Sequence, residues 1–252
     1  MIENQDASSM DVPNSDIKEY LQKLLAKSGS IFNHSTTVPN SRKIAASHIF
    51  ANEMGVWCKV LSQRREADLL KVAILEYEFA LLALTQGHYR HAFKGLRLVL
   101  ELILQAVYLS ANELLLREWI DNRADTVWSS ITDKDESVFS QRFAKAFFPE
   151  LTNHVQHYRQ LAVNLYRECS ECVHGNTPKF IPLPDCLNFD QSVFDLWHSK
   201  ASILFMIAHF VLSLRFLSDL SETDVSYLEP FLSDRLGHLE EIRKLLGGPA
   251  KG

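Results

Sequence analysis

The sequence is poor in cysteine, glycine and proline, and neither sign of charge dominates it. Four unevenly spaced cysteines in 252 residues do not form a disulfide framework, so they indicate a reducing compartment. Nine glycines and eight prolines exclude collagen-like and low-complexity chains. A formal charge of -5 excludes a protein that coats duplex nucleic acid through its overall charge, although a local basic groove is compatible with it.

The sequence also lacks a signal peptide and a convincing membrane span. The first residues, 1–16, are polar and acidic, without a basic segment followed by an apolar one. The best membrane candidate, residues 202–214, is shorter than the roughly 20 residues that cross a bilayer, and it contains His209 and ends at Arg215. We therefore expect a cytoplasmic protein that does not bind a membrane.

Helical periodicity is present in nearly every long segment, and strand alternation is not found. The main predicted helices cover residues 41–61, 66–85, 88–110, 113–120, 138–148, 149–173 and 191–220. We predict an all-α chain with an N-terminal helix and linker over residues 1–40, a helical bundle over 41–220 and a C-terminal amphipathic helix over 221–252. Residues 29–40, rich in Ser, Thr, Asn and Pro, are assigned to the linker. Helix 149–173 should pack against helix 88–110, because both carry long apolar stripes.

The predicted helix 149–173 has two different faces. At 100° per residue, one side is apolar and holds Val155, Tyr158, Ala162, Leu165, Tyr166, Cys169 and Val173. The other side is polar and holds His157, Gln160, Asn164, Arg167, Glu171 and His174. Arg167 and His174 are seven residues apart, which is two turns, so they point the same way. A solvated polar face and a functional site both account for this pattern.

The string around this pair, residues 165–176 (LYRECSECVHGN), resembles a known signature. It is similar to the signature helix of the HEPN superfamily of nucleotide-binding helical bundles, in which an Arg is followed after four to six residues by a His. Residues 89–119, which include Arg97 and Glu101, resemble the second helix of the same group. The resemblance covers residues 66–220 and implies a HEPN-like bundle with helical additions at both ends. Glu168 departs from the pattern, since active nucleases usually have a polar amide after the Arg.

The resemblance implies a metal-independent endoribonuclease of a defence or toxin system. In that reaction a ribose 2′-hydroxyl attacks the adjacent phosphate, so neither a metal nor a cofactor is expected. His174 would transfer the proton, and Arg167 would stabilise charge on the phosphate. Asn164, Gln160 and Ser170 are candidates to bind the RNA. Family nucleases form their site at a dimer interface, so the resemblance implies a homodimer, or a partner protein, over the face of Arg167 and His174.

An interaction module without catalytic activity is the alternative, and it would bind a partner protein through the same face. Glu168 and Glu171 favour it, because carboxylates repel a phosphate backbone. A small-molecule or nucleotide ligand is a third option that the sequence neither supports nor excludes. Arg97 and Glu101 are four residues apart on a mostly apolar helix, and we interpret them as an internal structural pair.

Metal binding is the remaining possibility among these residues. Cys169, Cys172, His174 and Cys186 are ligand types that a structural zinc site uses. Cys169 lies on the apolar stripe and His174 on the polar face, so one intact helix cannot bring them together. We therefore predict no metal site, and we interpret His154 and His157 as surface or packing residues.

Overall fold

The computed structural model describes residues 14–174 and 179–249, and within them it has eleven α-helices and no strand. The helices are α1 (Asn14–Ser35), α2 (Asn40–Val60), α3 (Ala67–Thr85), α4 (Tyr89–Ser110), α5 (Glu113–Ile120), α6 (Trp128–Ile131), α7 (Gln141–Phe147), α8 (Val155–His174), α9 (Gln191–Phe216), α10 (Glu222–Leu236) and α11 (Glu240–Leu245). Two short 3-10 helices, Pro149–Asn153 and Leu217–Asp219, precede α8 and follow α9. The all-α prediction is confirmed.

The core is a bundle of α3, α4, α8 and α9, in which α4 packs against the other three. The contact between α4 and α8 confirms the predicted packing of helices 88–110 and 149–173. The α3 and α4 backbones come close together at Gly95, where a Cβ atom would lie 2.5 Å from the Cβ of Ala80. Between α8 and α9 the rings of Tyr158 and Phe210 stack with their centroids 3.7 Å apart. These contacts fix which face of α8 points outward.

Helix α9 is the most deeply buried helix of the bundle core. Its second half is enclosed almost completely, and even Ser213 and Arg215 are buried. The segment 191–219 is long and apolar enough to cross a membrane, but 78% of its most apolar stretch is buried inside the protein. Such burial is typical of the core helix of a soluble bundle, so it gives little support to a membrane span.

A buried polar network joins α2, α9 and α10. The Trp57 indole N–H donates to Nδ1 of His209 over 3.2 Å, so the ring proton of this histidine belongs on Nε2. Nε2 in turn donates to Glu53 over 2.8 Å, and Arg235 donates to the other Glu53 oxygen over 3.2 Å. Burial lowers the pKa of His209, which is therefore neutral at pH 7. Burial raises the pKa of Glu53, but His209 and Arg235 outweigh it and hold that pKa below its ordinary value.

The predicted linker over residues 29–40 is wrong, because α1 continues through Gly29 to Ser35. A glycine inside a helix costs only about 1 kcal/mol relative to alanine, and packing compensates for it here. Beyond the glycine, α1 buries Ile31 against Gly87, and the Ser35 hydroxyl donates to the Thr85 carbonyl over 2.8 Å.

Other predicted boundaries also shift. The helix expected over residues 138–148 begins at Gln141, because the Ser140 hydroxyl accepts the Phe143 N–H and caps it. The segment after Pro149 is a 3-10 helix before α8 begins. The tail helix expected over 221–252 is two helices, α10 and α11, which are separated around Gly237. Trp128 begins a short helix, α6.

Candidate functional site

The polar face of α8 points to solvent. His157, Gln160, Arg167 and His174 are exposed, whereas Asn164, Ser170 and Glu171 are half-buried. On the opposite face the buried residues are Val155, Tyr158, Ala162, Leu165, Cys169 and Cys172. Val173 was predicted on the apolar stripe but is 41% exposed, whereas its neighbour Cys172 is buried. The structure thus presents Arg167 and His174 on one accessible surface.

Arg167 is close to the segment 179–181. Its guanidinium carbon lies 5.2 Å from the centroid of the Phe180 ring, within cation–π range. The same segment is fixed by Glu171, whose carboxylate accepts the backbone N–H groups of Lys179, Phe180 and Ile181 at 3.0, 2.9 and 3.3 Å. Burial raises the pKa of Glu171, but these three N–H groups and the Lys179 charge outweigh it, so the pKa is lowered. Glu171 therefore acts as an anchor for this segment.

Glu168, the residue that departs from the HEPN pattern, points away from the exposed face. Its carboxylate bonds Lys200 of α9 over 2.5 Å, and both side chains are less than one-fifth exposed. Ion pairs that are shielded from water interact more strongly than those at the surface. Both acidic neighbours of the Arg167 and His174 pair are thus engaged within the chain.

An aromatic and ionic cluster braces α4 against α8 beside this face. Arg97 and Glu101 pair at 3.2 Å, and Arg97 also donates to the Tyr166 hydroxyl over 2.7 Å. The Tyr166 ring stacks on Trp128 with centroids 3.8 Å apart. Burial raises the pKa of Tyr166, so its hydroxyl stays protonated. This cluster fixes the orientation of α8 through the residue that precedes Arg167.

The C-terminal end of α8 collects further cationic side chains. The Arg90 guanidinium, from the first turn of α4, donates to the Cys172 carbonyl over 3.2 Å. Lys179 is exposed, on the segment that Glu171 anchors. Gly175 and Asn176, the last residues of the motif, lie outside the described residues. Sequence reasoning missed Arg90, Lys179 and Phe180, because only the fold brings them to α8.

The proposed RNA-binding residues are less free than the sequence suggested. The Gln160 amide donates to Asn164 over 2.8 Å, so these two side chains bind each other along the helix surface. The Ser170 hydroxyl donates to the Tyr166 carbonyl over 2.5 Å and remains available to an RNA only as an acceptor. Of the five site residues on α8, Arg167, His174 and Gln160 are exposed, and Gln160 is engaged with Asn164.

No group of three or more metal-ligating side chains occurs among the described residues. Cys169 and Cys172 are buried, and burial raises the pKa of both thiols, that of Cys172 to about 11. Cys186 is exposed. His154 lies 3.3 Å from Glu241 of α11, which is an ordinary packing role. Comparison of the chain with models of protein families, with curated proteins and with solved structures yields no match.

Proposed function

We propose that this chain is a HEPN-like endoribonuclease that cleaves RNA without a metal, in a defence or toxin system, and that its site is the exposed face of α8. The observation that supports this most is the state of the charges on that face. Arg167 and His174 are exposed, while Glu168 is bonded to Lys200 and Glu171 to backbone N–H groups. The Glu168 carboxylate is thereby paired with a cation, and the Glu171 carboxylate is directed onto backbone N–H groups of its own chain.

The chemistry requires only a base or acid and a cation. An RNA 2′-hydroxyl attacks the adjacent phosphorus, and the bond to the 5′-oxygen of the next nucleotide breaks. His174 accepts the 2′-hydroxyl proton or donates one to the leaving oxygen, for which an imidazole is suited near neutral pH. The Arg167 guanidinium stabilises the charge that develops on the phosphate oxygens. Phe180, already in contact with this guanidinium, offers a ring on which a base can stack.

A second chain over this face is part of the proposal. Seven residues of α-helix separate Arg167 and His174 by about 10 Å along the axis. A second copy, with its own α8 apposed, would place the Arg of one chain near the His of the other. It would also exclude water from the scissile phosphate, which strengthens the electrostatic contribution of Arg167.

The test is RNA cleavage by the full-length protein and by matched variants. We expect His174→Ala and Arg167→Ala to abolish cleavage, and Arg167→Lys to restore little, because a lysine cannot form the bidentate contact. His157→Ala is the control for His174→Ala, since both histidines are exposed on the same helix. Cleavage should persist in excess EDTA and should give 2′,3′-cyclic phosphate ends or their hydrolysis products.

Unchanged cleavage by His174→Ala would refute the assignment of the site. Failure of the wild-type protein to cleave any RNA, together with its physiological partners, would favour the interaction module instead. That module would use the same face, where Val173 is 41% exposed beside His174.

A further inference from the structure

The N-terminal half of α1 extends past the bundle without burying a single residue from 17 to 27. Its apolar side chains nevertheless form one stripe at helical spacing, with Ile17, Tyr20, Leu21 and Leu24 exposed by 44, 57, 55 and 39%. We call these four residues the α1 stripe. Exposed apolar residues in such a row mark a binding surface rather than a solvated one.

The α1 stripe continues the side of the helix that is already packed against the bundle. Further along the same side, Ser28 and Ile31 are buried, and the Ser28 hydroxyl lies 3.3 Å from Nε2 of His88. Because α1 is one continuous helix, the buried Ser28 and Ile31 hold the exposed stripe in a fixed orientation relative to the bundle. A helical segment of about a dozen residues is marginal alone in water, so its apolar side requires a partner surface.

A matching surface is present on α3. Val72, Leu75, Phe79 and Leu82 follow one another at intervals of three and four residues, and they are exposed by 46, 49, 55 and 46%. We call these four residues the α3 stripe. It runs about 15 Å along the helix, which is enough for three turns of another helix to lie against it. Its largest member, Phe79, also borders a shallow cleft of about 250 Å³ between α3 and α4.

The two stripes also differ in the sign of their surrounding charge. Residues 17–27 contain three lysines and one glutamate, whereas α3 contains three carboxylates and one lysine. Two helices of the same sign would repel each other along the contact, and these two attract. The charge pattern therefore favours a contact between an α1 stripe and an α3 stripe rather than a contact between two α3 stripes.

We propose that the α1 stripe of one chain docks on the α3 stripe of a second copy of the same chain. The exchange is reciprocal, so a two-fold dimer contains the contact twice and covers all four stripes. This contact does not use the exposed face of α8, and it stands or fails independently of the ribonuclease proposal.

The first test is the mass of the full-length protein by light scattering. We expect a variant carrying Leu21→Glu and Leu24→Glu, and a second carrying Leu75→Glu and Phe79→Glu, each to show half of the wild-type mass. Gln22→Glu, on the opposite side of α1, adds a charge without touching the stripe and should keep the wild-type mass. A monomeric wild-type protein would overturn the proposal, because no second copy would then cover the two stripes. Variants that keep the wild-type mass would overturn it as well.

The second test identifies which surfaces meet. In a Cys186→Ser background, which removes the exposed thiol, Leu24→Cys chains and Phe79→Cys chains carry tags of different size. A short bismaleimide should link the two kinds of chain when they are mixed, and should link neither kind to itself. Gln22→Cys in place of Leu24→Cys is the control and should not form the link. Links only among Leu24→Cys chains would show an α1–α1 contact and overturn the proposal.

Discussion

The α3 and α4 backbones approach closely at Gly95, so replacing this glycine by alanine should destabilise the protein relative to the same replacement at Gly55. A Cβ at this position would lie 2.5 Å from the Cβ of Ala80 and 3.3 Å from its Cα. Ordinary contacts begin near 3.4 Å, so Gly95→Ala forces the two helices apart by nearly 1 Å. Overpacking of this kind costs about 1–3 kcal/mol. Gly55, in the middle of α2, has no atom within 4 Å of its Cβ position and serves as the control.

Both substitutions gain the same helix propensity, about 1 kcal/mol. We therefore expect Gly55→Ala to raise the free energy of unfolding by about 0.5–1 kcal/mol. The Gly95→Ala variant should be about 1–3 kcal/mol less stable than the Gly55→Ala variant. Urea unfolding followed by circular dichroism measures both. Adding Ala80→Gly to Gly95→Ala should recover part of the loss, because the two Cβ atoms no longer collide. Equal effects of Gly55→Ala and Gly95→Ala would refute the reasoning.

The remaining predictions concern a buried ion pair, a buried histidine and an anchored segment. Glu53→Leu should lower the free energy of unfolding, measured by urea denaturation, by about 3 kcal/mol, because the His209 N–H loses its acceptor and Arg235 loses its anionic partner. Glu53→Gln keeps an acceptor for His209 and should cost about half as much. Burial lowers the pKa of His198 to about 4, so the unfolded chain binds the proton before the folded chain does as the pH falls. The free energy of unfolding should therefore be highest above pH 6.5 and should fall by about 3 kcal/mol between pH 6.5 and 4. His198→Asn should remove most of this pH dependence. Glu171→Ala should accelerate hydrogen exchange of the Phe180 amide at least about tenfold by mass spectrometry or NMR, since an N–H bond to a charged acceptor is lost; an unchanged exchange rate would contradict the anchoring role.

The fold class was accessible from the sequence because apolar periodicity is a local signal. The two faces of α8, for example, follow from counting at 100° per residue, and Leu165 and Arg167 lie on the expected sides. Helix ends were less accessible where tertiary contacts decide them. Gly29 has the usual character of a helix end, yet Ile31 beyond it packs against the α3–α4 turn and extends the helix.

The surroundings of the candidate site could not be predicted, because they come from distant parts of the chain. Phe180 lies against Arg167 on a segment whose backbone Glu171 binds, whereas the sequence presents Glu171 merely as one more acidic residue on a polar face. Lys200 is likewise far from Glu168 in sequence, so the ion pair that removes this carboxylate from the surface depends on the packing of α8 on α9. The sequence alone therefore does not show whether Glu168 would repel an RNA phosphate or is paired with a cation.

The network of Trp57, His209, Glu53 and Arg235 affects how the protein tolerates shortening. Viewed along the sequence, α10 and α11 are a tail that follows the bundle, and removing them would be expected to be harmless. Arg235 belongs to that tail, yet it neutralises a carboxylate enclosed between α2 and α9. A chain that ends at residue 220 would keep Glu53 and lose its cation, and it would also expose the apolar surface that Leu228 and Leu232 cover. Fragments of this protein should therefore be designed to include α10, even when only the α8 face is under study.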